Sequence, residues 1–232
     1  MNVYYDLHIH SCLSPCGDEE MTPNNIVNMC ALKGLDVMAV TDHNHYGNVE
    51  VTYALAEEQG ILCLPGLEVQ TKEEVHVLCF FESLESLLAF GKDFESYRIK
   101  IVNNASFMGR QCFMNRDDEI TGTFEYTLLT SMDLSMETLE KLVLKYDGVM
   151  VPAHVNRPSF SVYANLGFMP DNLGVKTVEA YKWLEIQERM VKGYKVIYNS
   201  DAHRLEFISE AVNAIEIEEK SVKAIIKYLR GV

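Results

Sequence analysis

Val3-Tyr4-Tyr5-Asp6-Leu7-His8-Ile9-His10-Ser11 begins as an apolar run and ends in two imidazoles one residue apart. Residues 3–7 read as a strand. Successive side chains of extended backbone alternate, so His8 and His10 fall on one face and Ile9 on the other. Two nitrogen donors on one face at a strand's carboxyl end are placed to share an ion. Similar Val- and Ile-rich runs recur at 36–40, 61–67, 75–80, 148–152, 177–181 and 195–198, with a short further one at 214–217. Most lead through a polar tip into a segment of helical spacing. Seven strands alternating with helices predict an α/β fold, a (β/α)7 TIM-like barrel.

The helices carry their own start and stop signals. Thr22-Pro23 supplies a cap and a first-turn proline for a helix running to about Lys33, and Gly34 ends it. Segments 49–59, 84–97, 135–146, 184–192 and 219–229 behave similarly, with Ser135 ahead of an acidic first turn in the third. The stretch 98–132 has no clear period and holds Asn103-Asn104, Gly109 and Asn115-Arg116-Asp117-Asp118. It reads as a small insertion on a single domain spanning 1–232.

Of seven histidines, six sit at or beside a strand's carboxyl end: His8, His10, His43, His76, His154 and His203. Such ends converge on one rim of a β/α barrel, so these residues are expected around one pocket. Glu68 and Asp201 follow the same rule, and Asp201 with His203 repeats the period-two geometry of His8 and His10. His45 is left to the pocket's mouth. Imidazole and carboxylate donors together suit zinc, manganese or iron, whereas an all-oxygen site would suit magnesium or calcium. So many donors exceed what one ion can use, and two or three divalent ions with bridging carboxylates account for the surplus.

A formal charge of −14 on 232 residues argues against an extended duplex nucleic acid surface. A phosphorylated small molecule or the end of a short oligonucleotide is the expected partner. With 48% hydrophobic residues the chain is not expected to be disordered. No run approaches the roughly 20 apolar residues that cross a bilayer, and the first residues lack a secretory pattern, so no membrane partner and a cytoplasmic location are expected. Six cysteines at 12, 16, 30, 63, 79 and 112 read as reduced thiols. Cys12 and Cys16 flank a loop beside two histidines, but no second cysteine pair matches them as a zinc site.

As a set, Asp6-Leu7-His8-Ile9-His10-Ser11, Thr22-Pro23, Val40-Thr41-Asp42-His43-Asn44, Pro65-Gly66-Leu67-Glu68, Val75-His76-Val77-Leu78, Pro152-Ala153-His154 and Asn199-Ser200-Asp201-Ala202-His203 resemble the polymerase and histidinol phosphatase (PHP) superfamily. The resemblance implies a distorted seven-stranded barrel with a trinuclear metal centre that hydrolyses phosphate esters. It implies that His8 and His10 hold one ion with Glu68 and Asp201, and that Glu68 bridges to a second ion on His76 and His154. A third ion would take a loop acid with His43 and His203. Members usually show Ser-Asp-Gly soon after the His-x-His, whereas here Ser14 is followed by Pro15-Cys16-Gly17. Counting back from Thr22-Pro23 favours Asp18, with Glu19 or Glu20 next. Stand-alone phosphoesterases of the superfamily, some acting on nucleotides or oligonucleotide ends, are the nearest in pattern.

The implied chemistry is attack by a metal-bridging hydroxide on a phosphate ester. Arg157, three residues after His154, is the expected substrate clamp, since a guanidinium makes paired bonds to phosphate oxygens. Asp201 or His203 is placed to assist the leaving group. Asp42 is expected to orient an imidazole by hydrogen bonding. Alternatives are a histidinol-phosphate or sugar phosphate monoesterase, an amidohydrolase-like C–N hydrolase, and a non-catalytic metal-binding module.

Overall fold

The computed structural model describes residues 1–232. Its strands are β1 (Asn2–Ile9), β2 (Val37–Val40), β3 (Leu62–Cys63), β4 (Gly66–Gln70), β5 (His76–Phe81), β6 (Cys112–Met114), β7 (Ile120–Thr123), β8 (Gly148–Pro152), β9 (Thr177–Glu179), β10 (Lys195–Ile197) and β11 (Ala214–Glu216). The helices are α1 (Pro23–Leu32), α2 (Val49–Glu58), α3 (Leu84–Phe94), α4 (Ala105–Met108), α5 (Met136–Lys145), α6 (Val162–Asn165), α7 (Glu188–Val191) and α8 (Val222–Arg230). The mixed α/β class is as expected, but the strands form four separate sheets instead of one continuous ring.

β1, β2 and β3 pair in parallel, with β11 antiparallel on the far edge of β1. β9 and β10 form a second parallel pair. β4, β5 and β8 are antiparallel neighbours, which departs from a uniform β/α alternation. The reason is local. No helix separates β4 from β5; a tight turn does, closed by the Thr71 N–H on the Val75 carbonyl, with Glu74 in the left-handed region at φ 58°. The run expected as one strand over 61–67 changes partner at Pro65, from β2 to β5. A proline cannot donate to a ladder, and Gly66 follows because a Cβ there would lie 2.8 Å from the Cys79 carbonyl oxygen. Two isolated parallel bridges, Ile9 to Ala202 and His43 to Glu68, link the sheets near the candidate site.

The register of β1 on β2 slips between Asp6 and Ile9, so that Leu7 and His8 face a single residue of β2. Such bulges re-aim side chains beside functional sites. Val3, Tyr5 and Leu7 enter an inner core with Leu78, Phe80 and Val151. That core is closed below by Ile225, Ile226 and Leu229 of α8. Past the bulge, Ile9 turns outward to pack with Met38, Val40 and α1, while His8 and His10 stay inside.

Helix starts match their sequence signals. Thr22, Ser83, Ser135 and Ser221 each accept a backbone N–H at the first turn of α1, α3, α5 and α8. The helix expected over 184–192 shrinks to the single turn α7, flanked by the exposed Trp183 and Leu184. Within 98–132, β6 and β7 form a hairpin, and Val102 bridges Tyr126. This segment rests on the loop after β1, where the Cys112 N–H donates to the Cys12 carbonyl. No helix is long and apolar enough to cross a membrane.

Candidate metal centre

Six imidazoles meet at the carboxyl ends of β1, β2, β8 and β10 and, against expectation, at the amino end of β5, where His76 is the first residue and the antiparallel pairing with β4 and β8 brings it to the same rim. Glu68, at the centre, has no solvent exposure. Its Oε1 lies 3.3 Å from His8 Nε2, 3.0 Å from His76 Nδ1 and 3.3 Å from His154 Nε2. Its Oε2 lies 2.8 Å from His43 Nδ1 and 3.5 Å from His10 Nε2. Asp201 Oδ1 is 3.2 Å from both His8 Nε2 and His10 Nε2. Three groups of donors have ligating atoms all within 4.8 Å of one another: His8, His10 and Asp201; His43, Glu68 and His76; and His10, His43 and His203.

These donors crowd into one shared space. His8 Nε2 and His10 Nε2 face each other at 3.1 Å. Neither Glu68 oxygen nor either His154 nitrogen makes an aligned hydrogen bond, although all four atoms are buried. Burying such groups without partners is costly, and a common cation would satisfy them. The donor set therefore fits divalent metal ions.

The outer contacts fix the rings. His8 Nδ1 contacts both Glu179 oxygens at 3.0 and 3.1 Å, which leaves Nε2 for the centre. Glu179 also accepts from the His154 backbone N–H at 2.8 Å and from Asn199 Nδ2 at 2.7 Å. His10 Nδ1 lies 2.9 Å from Ser14 Oγ, and that hydroxyl donates to Asp42 Oδ1 at 2.6 Å. Asp42 thus reaches an imidazole through a serine, and its second oxygen holds Ser11 Oγ at 2.6 Å. His203 Nδ1 sits 2.9 Å from the Asp201 carbonyl. Carboxylate and carbonyl partners of this kind orient ligands at metal sites.

Electrostatics follow from the crowding. Burial would raise the Glu68 carboxyl, but the imidazoles of His76, His8 and His43 outweigh it and hold the group well below the usual carboxylate range. Burial likewise opposes ionisation of Asp201, and His8 and His10 hold it well below its ordinary value. His10 is pushed well down by burial and then by His203 and His43. His154 and Asp201 sit at φ 31° and 52°. Non-glycine residues there cost about 1–3 kcal/mol each and cluster at functional sites.

The remaining expected residues fall around this cluster. Arg157 Nη1 is 2.5 Å from Asp201 Oδ2, with the guanidinium carbon 4.3 Å above the Tyr181 ring. Asp18 stands outside the three donor groups. Its carboxylate accepts the Glu20 N–H at 3.0 Å and lies 4.0 Å from Arg204 Nε. Glu19 pairs loosely with Arg110, and Glu20 is exposed. His45 packs apart from the other six, against Phe113 and Phe124. Cys12 is buried with its sulfur toward the Cys112 carbonyl, whereas Cys16 is exposed beside His43 and His203. Reading residues in order misses Glu179 and Ser14. The only signal for Glu179 is a carboxylate inside a short apolar strand.

Comparison with known proteins places these residues in a family. The PHP domain model matches residues 6–164, more than half of the chain. A 5′-3′ exoribonuclease of Haemophilus influenzae is 31% identical over 81 residues, covering 34% of this chain and 28% of that protein. The matches span less than half the length of the curated relatives. Among solved structures, the lesion-specific endonuclease EndoQ of Pyrococcus furiosus superposes with a TM-score of 0.73 at 20% identity, covering 100% of this chain and 56% of that one. A candidate metal-dependent phosphoesterase of Bifidobacterium adolescentis gives 0.59 at 18% identity, covering 98% and 96%. At these identities the likeness is one of fold.

One expectation is overturned. Endonuclease Q in complex with a 27-mer duplex carrying an abasic lesion at the active site superposes with a TM-score of 0.68 at 20% identity, covering 100% of this chain and 57% of that chain. Net acidity therefore does not exclude an extended duplex surface on this fold. Formal charge sums the whole surface, while phosphate contacts are local. The family model across most of the β/α framework and the buried donors meeting at its strand ends lead to one conclusion: the chain belongs to the PHP domain family.

Proposed function

We propose that the protein is a metal-dependent phosphoesterase acting on a nucleotide, a nucleoside bisphosphate or the end of a short oligonucleotide. The observation that carries this reading is the convergence of six imidazoles on Glu68 and Asp201, with buried ligand atoms lacking any other partner. Divalent ions held there would bring the pKa of water toward neutrality and offset the charge of a phosphate. His8 and His10 would hold them with Asp201 and Glu68, and Glu68 would extend to His76 and His154. His43 and His203 would serve the outermost ion.

The chain's own groups supply the rest. Glu179 fixes His8 with Nε2 inward, and Ser14, backed by Asp42, does the same for His10. Arg157, paired with Asp201 and stacked on Tyr181, is positioned to exchange that carboxylate for a phosphate oxygen. His203, partly exposed at the rim with Nδ1 on the Asp201 carbonyl, would present its other nitrogen to the outermost ion, and the departing alkoxide would take its proton from solvent. The framework is an opened, distorted barrel in which the Ile9–Ala202 and His43–Glu68 bridges take the place of missing ladders.

A second reading, cleavage within a nucleic acid, is favoured by the likeness of fold to an endonuclease across the full chain. One screen separates the two. Metal content is measured alongside hydrolysis of phosphate monoesters, nucleoside bisphosphates, short oligonucleotides and a duplex containing an abasic site. Turnover of the small esters supports the leading reading; turnover of the duplex alone selects the second. A metal-loaded protein that cleaves none overturns both.

A further inference from the structure

A cavity of about 340 Å³ opens beside Asp201, which lines it and also belongs to the metal centre. Tyr181, Trp183 and Phe207 line the same cavity. Trp183 is 73% exposed and Phe207 61%. A single exposed aromatic needs no explanation, but two of them opening on one cavity next to a metal ligand leave a stacking surface uncovered. Both walls grow out of segments that build the site. Tyr181 and Trp183 follow Glu179 at the end of β9, and Phe207 lies four residues after His203.

Each wall is tied down. Asn156, between His154 and Arg157, donates through Nδ2 to the Tyr181 and Leu184 carbonyls at 2.9 and 3.0 Å, and its Oδ1 accepts the Tyr181 N–H at 2.7 Å. Across the cavity, Lys33 Nζ donates to the Glu206 and Ile208 carbonyls and pairs with Glu210 at 3.1 Å. That pairing leaves Lys33 little charge to offer a ligand, while Glu206 also lines the space. A second phosphate would be repelled there. An uncharged, planar group would not, and the volume is within the range of small-molecule sites.

We propose that this cavity is a base subsite, in which Tyr181, Trp183 and Phe207 take the nucleobase of a nucleotide whose phosphate lies at the metal centre. Arg157 joins the two spaces, with Nη1 2.5 Å from Asp201 Oδ2 and its guanidinium carbon 4.3 Å above the Tyr181 ring. The placement of the phosphate rests on the phosphoesterase reading; the contact with the base does not. Aromatic stacking accepts any base, so the subsite selects nucleotides over other phosphate esters and not one base over another.

Trp183 is the chain's one tryptophan, so its fluorescence reports on the cavity directly. In the metal-loaded full chain, adenosine monophosphate or a short oligoadenylate should quench it saturably and ribose phosphate should not; the tighter of the two ligands identifies a free nucleotide or a strand end as the source of the base. Phe207→Ala should raise the half-quenching concentration roughly 5–150-fold, the range that stacking supplies per base. Phe107→Ala, which removes an equally exposed aromatic from the insertion, should leave it unchanged. In hydrolysis, Trp183→Ala and Phe207→Ala should lower the preference in kcat/KM for the nucleotide over ribose phosphate, whereas a structural role would lower both rates alike and keep the ratio. Absent quenching, or an unchanged ratio in both variants, overturns the subsite; if the esters are still cleaved, the phosphoesterase reading stands. Quenching by the nucleotide with no ester cleaved keeps the subsite and removes that reading. Emission that shifts with protein concentration and ignores nucleotide marks a contact between copies of the chain and overturns the subsite.

Discussion

His8 divides its ring between two carboxylate neighbourhoods: Nδ1 on Glu179, Nε2 toward Glu68 and Asp201. The Glu179 contact selects the tautomer that leaves Nε2 free, so its effect should be on affinity. Glu179→Gln is expected to weaken metal binding roughly 10–100-fold while the number of ions at saturating metal stays unchanged, as read by chelator competition. His45 makes a separate pH prediction. Burial, and then Arg98, lower its pKa to about 3, so the fold holds it neutral. The sign follows: stability is complete above the unfolded value near 6.5 and declines as pH falls from there toward 3. His45→Asn, which keeps an acceptor for the Tyr46 and Gly47 N–H groups, should remove up to about 2 kcal/mol of the loss by pH 5. Denaturant titrations at pH 7 and pH 5 measure the difference. The six clustered histidines were legible because that many imidazoles gathered at strand ends would be costly to bury without a shared cation. Glu179 was not, because a glutamate in a short strand looks the same whether it faces water or, as here, is buried against His8, Asn199 and the His154 backbone.

Elements position these side chains through a few irregular features. Helix starts were readable since Thr22-Pro23 and Ser135 satisfy a local need of the backbone. Ser135→Ala should cost about 1 kcal/mol in chemical denaturation by leaving the Thr138 N–H without its cap. The antiparallel order of β4, β5 and β8 was not readable, because it is set by a tight turn and a partner change at Pro65 that periodicity cannot see. The insertion reads in sequence only as an aperiodic stretch. Its purpose is clearer in space, where Gly109, at φ 100°, lets the hairpin segment press on Pro15 in the loop carrying Cys16. A Cβ at Gly109 would lie 2.1 Å from the Pro15 carbonyl oxygen, whereas one at Gly60 would meet nothing. Gly109→Ala should therefore lower the melting temperature and speed proteolysis within 98–132. Gly60→Ala should cost only the roughly 1–2 kcal/mol of a left-handed alanine.

Across the whole molecule, an acidic chain folds its imidazoles inward around a few buried carboxylates. That concentrates donors at a single point and leaves the surface charge a poor guide to what the site accepts, which is why the duplex expectation failed. Cations that bind the folded chain and not the unfolded one stabilise it by mass action, about 2.7 kcal/mol at a hundredfold excess over Kd. For a chain of this size the matching fall in melting temperature on chelation is roughly 5–10 °C, read by scanning calorimetry with and without chelator. The most direct measurement of the central claim is the hydrolysis rate of a phosphate ester by chelator-stripped protein as zinc, manganese or iron is titrated back. The account predicts no turnover without metal, recovery as the ions bind, and no recovery in Glu68→Gln at the same metal concentrations. Full turnover in the stripped protein, or ions bound at the His8, His10 and Glu68 cluster with no ester cleaved, would contradict it.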